Sequence, residues 1–273
     1  MTDFLQLAGR KVLVTGLANK KSVAAHIGQQ LEAVGATPIY MVRTPERRDD
    51  VAKLVGERDV YVCDVRHEDQ VAQLAEDLTR DHPQLDGIVH SIAFANYEDG
   101  MKPFHETRKE HFLEAIDVSC YSLVGLSNAL AEHLTPGASV VTISISTTTM
   151  AAENYGYMAP AKAALDSAVV FLAKSFASRN VRFNGVRAGL LKTRSSAGIP
   201  GYADAWLFGE AATLRGKGLA TPEVASTALF LLSPRSSGIN AQGLVVDAGM
   251  GVNYFDCELV KRATRTDDPA IAE

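Results

Sequence analysis

Val12-Leu13-Val14-Thr15-Gly16, followed after a short polar turn by Ser22-Val23-Ala24-Ala25, reads as a β-strand, a tight glycine turn and a helix start. Backbone N–H groups at such a helix N-terminus can hold a phosphate, and Gly16 lets a ligand approach the chain closely. The common Gly-x-x-x-Gly-x-Gly spacing is broken, because Lys20 and Ser22 hold the later glycine positions. Taken alone, these residues fit an ordinary strand-to-helix turn equally well.

Outward from this stretch, short β-branched runs alternate with helix-length amphipathic stretches, the pattern of βαβ units in a parallel sheet covered on both faces. Strands are predicted at 12–15, 38–41, 60–63, 87–90, 139–143, 181–186 and 244–247. They predict one α/β domain over residues 1–255, doubly wound on a seven-stranded parallel sheet, with a C-terminal tail over 256–273 whose polar end from Arg262 reads as frayed. Thr107-Arg108-Lys109-Glu110 reads as a capping box, and Thr221-Pro222 as an N-cap before a first-turn proline. Segment 192–218 breaks the alternation. It contains glycine and is apolar at Ile199, Tyr202, Ala205, Trp206, Leu207 and Phe208, so an irregular substrate-binding loop, a lid, is expected there.

Composition narrows the function. The 273 residues are 47% hydrophobic and 22% charged, and the net charge of -5 is spread without a basic block, which argues against nucleic acid as a partner. No run approaches the roughly 18 apolar residues of a membrane span, and Met1-Thr2-Asp3-Phe4-Leu5-Gln6 has no basic n-region. A soluble cytoplasmic protein with no membrane partner is expected. Cys63, Cys120 and Cys257 are scattered and odd in number, hence reduced and structural, while His105 and His111 fit no helical metal spacing, so no metal is expected.

The other strand ends supply what a dinucleotide needs at the carboxyl edge of a parallel sheet. Asp64-Val65 brings a carboxylate for an adenine amino group, and Ser91-Ile92-Ala93 brings small residues that admit a ribose. After the second strand the chain reads Val42-Arg43-Thr44-Pro45-Glu46-Arg47-Arg48, with no acid at the strand end. That leans to NADPH over NADH, although Arg47 and Arg48 read equally well as solvated residues of a helix start.

Tyr155 and Lys162 lie seven residues apart after the fifth strand, in Asn154-Tyr155-Gly156-Tyr157-Met158-Ala159-Pro160-Ala161-Lys162. A phenol and an ammonium form a workable proton-donor pair beside a nicotinamide. In a continuous helix the step is two turns, about 10.5 Å, with both side chains on nearly one face. Reducing a ketone needs the proton donor next to the hydride acceptor. Reducing an α,β-unsaturated thioester puts hydride on the β carbon and charge on the more distant carbonyl oxygen, which suits a displaced tyrosine.

These residues, with Cys63-Asp64-Val65, His90-Ser91-Ile92-Ala93-Phe94-Ala95, Asp117-Val118-Ser119-Cys120-Tyr121-Ser122, Val181-Arg182-Phe183-Asn184, Ala188-Gly189-Leu190-Leu191-Lys192-Thr193 and Val246-Asp247-Ala248-Gly249, resemble the enoyl-acyl-carrier-protein reductases of the NAD(P)H-dependent short-chain dehydrogenase/reductase superfamily, from about Leu5 to Asn253. The resemblance implies a Rossmann fold, a homotetramer, and reduction of trans-2-enoyl thioesters on acyl carrier protein in fatty acid biosynthesis. It implies that Tyr155 and Lys162 are catalytic, that Gly16, Ser22, Val23, Arg43, Asp64, Val65, Ser91, Ile92, Ala93, Lys162, Gly189, Leu191 and Thr193 hold NADPH or NADH, and that Phe94, Ile145, Met158, Ile199 and Tyr202 line the acyl pocket.

Three departures stand out. Ile145, followed by Ser146-Thr147-Thr148-Thr149, occupies the place of a second aromatic; Pro160 lies between the catalytic pair and predicts a late or kinked helix; and Leu190 replaces a proline at the pocket. Lys192, Arg194, Arg215 and Lys217 flank the lid and would suit an acidic carrier. Two rival readings remain: a carbonyl (3-oxoacyl-type) reductase, suggested by Ile145 and the hydroxyl-rich 144–149 segment, and a non-catalytic dinucleotide-binding protein, suggested by Pro160.

Overall fold

The computed structural model describes residues 3–100, 102–153, 156–194 and 196–264. In chain order they form β1 (Lys11–Thr15), α1 (Val23–Ala33), β2 (Thr37–Val42), α2 (Pro45–Val55), β3 (Val60–Val62), α3 (Glu68–Asp81), β4 (Leu85–His90), α4 (Lys109–Ile116), a π-helical turn (Asp117–Tyr121), α5 (Ser122–Ala129), β5 (Leu134–Ile145), α6 (Met158–Ser175), β6 (Arg182–Ala188), α7 (Tyr202–Ala212), α8 (Thr221–Leu232), β7 (Gly243–Val246) and α9 (Cys257–Thr264). The strands make one sheet in the order β3-β2-β1-β4-β5-β6-β7, with every neighbouring pair parallel. This is the doubly wound α/β fold that the alternation predicts.

The period-two alternation of a strand separates the two cores. On one face Val12 and Val14 of β1 meet Ile27 and Leu31 of α1 and Val224, Ala228 and Leu231 of α8. On the other, Leu13 joins Leu74 and Leu78 of α3, Leu123 and Leu126 of α5, and Leu165, Val169 and Leu172 of α6. Val12, Leu13 and Val14 are each at most 1% exposed, which makes β1 the spine of the fold.

Helix starts follow side-chain chemistry, with corrections. Ser22 Oγ accepts from Ala25 N–H and caps α1, and Thr44 Oγ1 accepts from Arg47 N–H and caps α2 ahead of Pro45. The expected capping box at Thr107 does not form. Thr107 Oγ1 donates to Phe104 O at 2.7 Å, and α4 starts one residue later than expected, with Arg108 at the cap. At α8 the cap is Ala220 rather than Thr221, and Glu223 reaches back to accept from Ala220 N–H at 2.7 Å. Segment 192–218 is not irregular throughout, because α7 occupies Tyr202–Ala212, and α9 forms within the stretch expected to be a tail. Among the described residues, no helix is long and apolar enough to cross a membrane.

Candidate active site

The chain leaves β1 toward β2 on one side and later returns to β4 on the other, which opens a crevice at the carboxyl ends of β1 and β4. A cleft of about 600 Å³ occupies this crevice and runs under the 192–218 segment. Thr15 ties its walls together: Oγ1 donates to Val89 O at 3.0 Å and accepts from Ser91 N–H at 3.2 Å. Gly16 follows with φ +78, and a Cβ there would lie 2.0 Å from Ser91 O, so only glycine fits. Ser22 and Val23 line the same end, with the Ser22 hydroxyl spent on Asn19 O and on the α1 cap. What faces a ligand there is the helix N-terminus with its unpaired N–H groups. A bare glycine turn against a capped helix start fits a dinucleotide pyrophosphate.

At the β2 and β3 side the cleft is lined by Arg43 and Arg47 after β2 and by Asp64, Val65 and Arg66 after β3. Asp64 does not stand alone as a free acceptor. Arg66 Nη2 lies 2.6 Å from Asp64 Oδ2 and Nε 3.0 Å from Oδ1, and this guanidinium holds the carboxyl below its usual range. The strand-end acid thus arrives already paired with a cation.

Lys162 sits in the middle of the cleft. Helix α6 starts at Met158 with Tyr157 at its cap, so the late start that Pro160 predicts is observed. Pro160 is the third residue of the helix, where its missing N–H leaves no bond unmade. Gly156 and Tyr157 therefore precede the helix. One turn into α6, Lys162 is 3% exposed, and Nζ donates to Ile143 O at 2.8 Å and to Ile92 O at 3.3 Å. An ammonium has three donors, so one is left for a ligand. Burial pushes this lysine down to about 8, opposed by the charge of Asp166.

The far end of the cleft is apolar. Phe94, Ile145, Met158, Ile199 and Tyr202 line it, as do Ser91, Ile92, Ala93, Gly189, Leu191 and Thr193 nearer the crevice. Tyr202 Oη donates to Leu191 O at 2.8 Å, which anchors the start of α7 to the chain leaving β6. Ser196 Oγ donates to Leu191 O at 2.8 Å and accepts from Thr193 N–H at 3.0 Å. Leu190 leans on α7, where a Cβ at Gly209 would lie 2.6 Å from Leu190 Cδ1.

The structure therefore gathers around one cleft every expected site residue that it describes. Tyr155 lies outside the described residues. Sequence reasoning missed Arg66, Ser196 and Tyr97, and gave Ser119 no role of its own. Ser119 Oγ clasps the backbone of Phe94 through both N and O at 3.0 Å, and Tyr97, also at the cleft, stacks on Tyr157 with centroids 5.5 Å apart. Arg66 pairs with a carboxylate through a turn, Ser119 and Ser196 bond backbone atoms, and Tyr97 stacks on a sequence-distant ring, none of which the local sequence specifies.

A family model described as enoyl-(acyl carrier protein) reductase matches residues 16–251. Over 252 residues the chain is 35% identical to the NADH-dependent enoyl-[acyl-carrier-protein] reductase FabI of Nostoc sp., covering 90% of this chain and 97% of that one. It is 33% identical over 250 residues to the NADPH-dependent FabI of Staphylococcus aureus, covering 90% and 98%. The crystal structure of an NADH enoyl-[acyl-carrier-protein] reductase from Aquifex aeolicus superposes with a TM-score of 0.87 at 31% identity, over 92% of this chain and 99% of that one.

Proposed function

The chain belongs to the enoyl-acyl-carrier-protein reductase family, and we propose that its cleft binds NADPH and reduces the trans-2 double bond of an enoyl thioester on acyl carrier protein. Lys162 carries this reading: a buried ammonium where a dinucleotide crevice meets an apolar lid. Bound nicotinamide supplies the hydride for the β carbon. Gly16 and the start of α1 hold the pyrophosphate, Ser91, Ile92 and Ala93 make room for the ribose, and the remaining N–H of Lys162 takes a ribose hydroxyl. Tyr155 donates to the thioester oxygen as charge develops there, and the nearby ammonium lowers the cost of charge on the phenol. Phe94, Ile145, Met158, Ile199 and Tyr202 keep water from the acyl chain.

Arg43 and Arg47 at the cleft support NADPH, whereas Arg48 pairs with Asp49 at 3.7 Å. For docking an acidic carrier, Lys192, Arg194 and Lys217 flank the lid; Arg215 is spent on Glu223, with Nη1 2.6 Å from Oε1. Exposed Leu113, Tyr121, Val170 and Phe171 support burial in a homotetramer. Residues 1–255 act as one cytoplasmic reductase domain, with 192–218 as lid and 256–273 appended.

The test is oxidation of NADPH and of NADH with crotonyl-coenzyme A, longer enoyl thioesters and 3-oxoacyl thioesters. Enoyl turnover that Tyr155→Phe largely removes is expected. Faster turnover of 3-oxoacyl substrates would instead make the protein a carbonyl reductase.

A further inference from the structure

The surroundings of Lys162 resist its charge. Its side chain is 3% exposed and its two acceptors, Ile143 O and Ile92 O, are neutral. An ammonium so placed gives up its proton unless a counter-charge faces it. From β4, His90 has both ring nitrogens on hydroxyls, Thr142 Oγ1 and Ser122 Oγ, each at 2.8 Å. Burial, then Lys162, push His90 down to about 3, so it is neutral at physiological pH. From the π-helical turn, burial pushes the Cys120 thiol up, and it too is neutral. From α6 itself comes Asp166, four residues and about one turn beyond Lys162. Among the described residues, Asp166 is the carboxylate that acts on Lys162.

Asp166 is itself held in place. Its side chain is 9% exposed, and Arg187 of β6 brings Nε to 2.9 Å from Oδ2. Arg187 crosses bare backbone at Gly243 of β7, where a Cβ would lie 2.3 Å from Nε. Ser144 of β5 lines the cleft, and its hydroxyl opposes the upward push of burial on Asp166. Burial pushes Asp166 up, while Ser144, Arg187 and Lys162 oppose it. Charges thus alternate in sign from the cleft toward the β7 edge of the sheet.

We infer that Asp166 is a positioning residue for the reaction: paired with Arg187 and one helical turn from Lys162, its carboxylate keeps the ammonium charged, while Ile143 O and Ile92 O hold that ammonium for the cofactor ribose. This inference rests on the role proposed for Lys162. In the unaltered enzyme, kcat/KM on crotonyl-coenzyme A is expected to fall as pH rises through about 8, as burial pushes Lys162 down to about 8.

Asp166→Asn keeps the shape and removes the charge, so the alkaline limb moves to lower pH by about one unit, the low end for an adjacent opposite charge because Arg187 shares the carboxylate. NADPH binding, read by quenching of protein fluorescence without substrate, stays near the unaltered value at pH 6 and weakens by about fivefold at pH 8, as a one-unit shift requires. Asp166→Glu restores both readings. A folded Asp166→Asn with the original alkaline limb and the original pH dependence of binding overturns the inference, as does Asp166→Glu performing no better than Asp166→Asn. Should Asp166→Asn fail to fold, Asp166→Ser carries the same two readings. Lys162→Met separates the levels. If it abolishes turnover while Asp166→Asn leaves the limb unmoved, only the role of Asp166 fails; if it turns over normally, the role of Lys162 fails and that of Asp166 with it.

Discussion

The two halves of the cleft are built by different means. In the half around Gly16 and Lys162 the working atoms stand on strand ends or are held by them: Thr15 clasps Val89 and Ser91, Gly16 lies against Ser91, and Lys162 of α6 bridges Ile143 and Ile92. Each is one bond from a sheet ladder. In the lid half the working surface hangs on side chains, with Ser196 and Tyr202 on Leu191 O and Leu190 against Gly209. A ladder opens only with the whole sheet, whereas an arrangement pinned by a few hydroxyls opens locally. The first half is therefore preorganised, and the second can open locally.

The largest expected effect tests the strand-built half. Lys162→Met lowers kcat by about a hundred- to ten-thousandfold, the range for a lost acid–base partner. The same change raises the melting temperature at pH 7. An unfolded lysine keeps its proton to about 10.4, whereas the folded one releases it near 8. Between those values the unfolded state binds more protons and stability rises with pH; below about 8 the full cost of the buried charge is present. A melting temperature that falls instead would mean that the two carbonyl bonds outweigh that cost.

Next comes Gly16→Ala. A left-handed residue with a Cβ costs about 1–2 kcal/mol, and Ser91 must also move, so NADPH affinity drops by about ten- to thirtyfold. Retained affinity would show the crevice to be softer than its ladder. Tyr202→Phe then probes the other half: losing a bond worth about 1 kcal/mol raises KM for crotonyl-coenzyme A about fivefold, with the NADPH dissociation constant unchanged. Equal effects on both ligands would erase the distinction between the halves. Smallest is Arg47→Ala. Its charge is exposed, so NADPH binding weakens by only about two- to threefold, and NADH binding is unaffected.

The same division decides how much was legible. Strand ends could be located from β-branched runs and the period of two, and the residues at those ends followed once the sheet was known to be parallel. Lys162 could be named, but its acceptors could not, because a backbone carbonyl carries no residue identity. Helix α7 was missed for a physical reason. It starts after Gly201 in a left-handed conformation with no side-chain cap, and Trp206, Leu207 and Phe208 give it no single apolar face. The capping box failed because the Thr107 hydroxyl found a nearer acceptor in Phe104 O. The pairing of Asp64 with Arg66 depends on a turn geometry that two residues of spacing do not specify.

The strand order also bears on how the molecule is made. From β1 the sheet grows first to β2 and β3 and then, on the other side, from β4 out to β7, so each strand emerging from the ribosome after β3 finds its neighbour already synthesised. The crevice between β1 and β4 exists once β4 has docked, while Lys162 and the 192–218 segment arrive later. Nascent chains arrested at increasing lengths and challenged with protease should gain protection in that order.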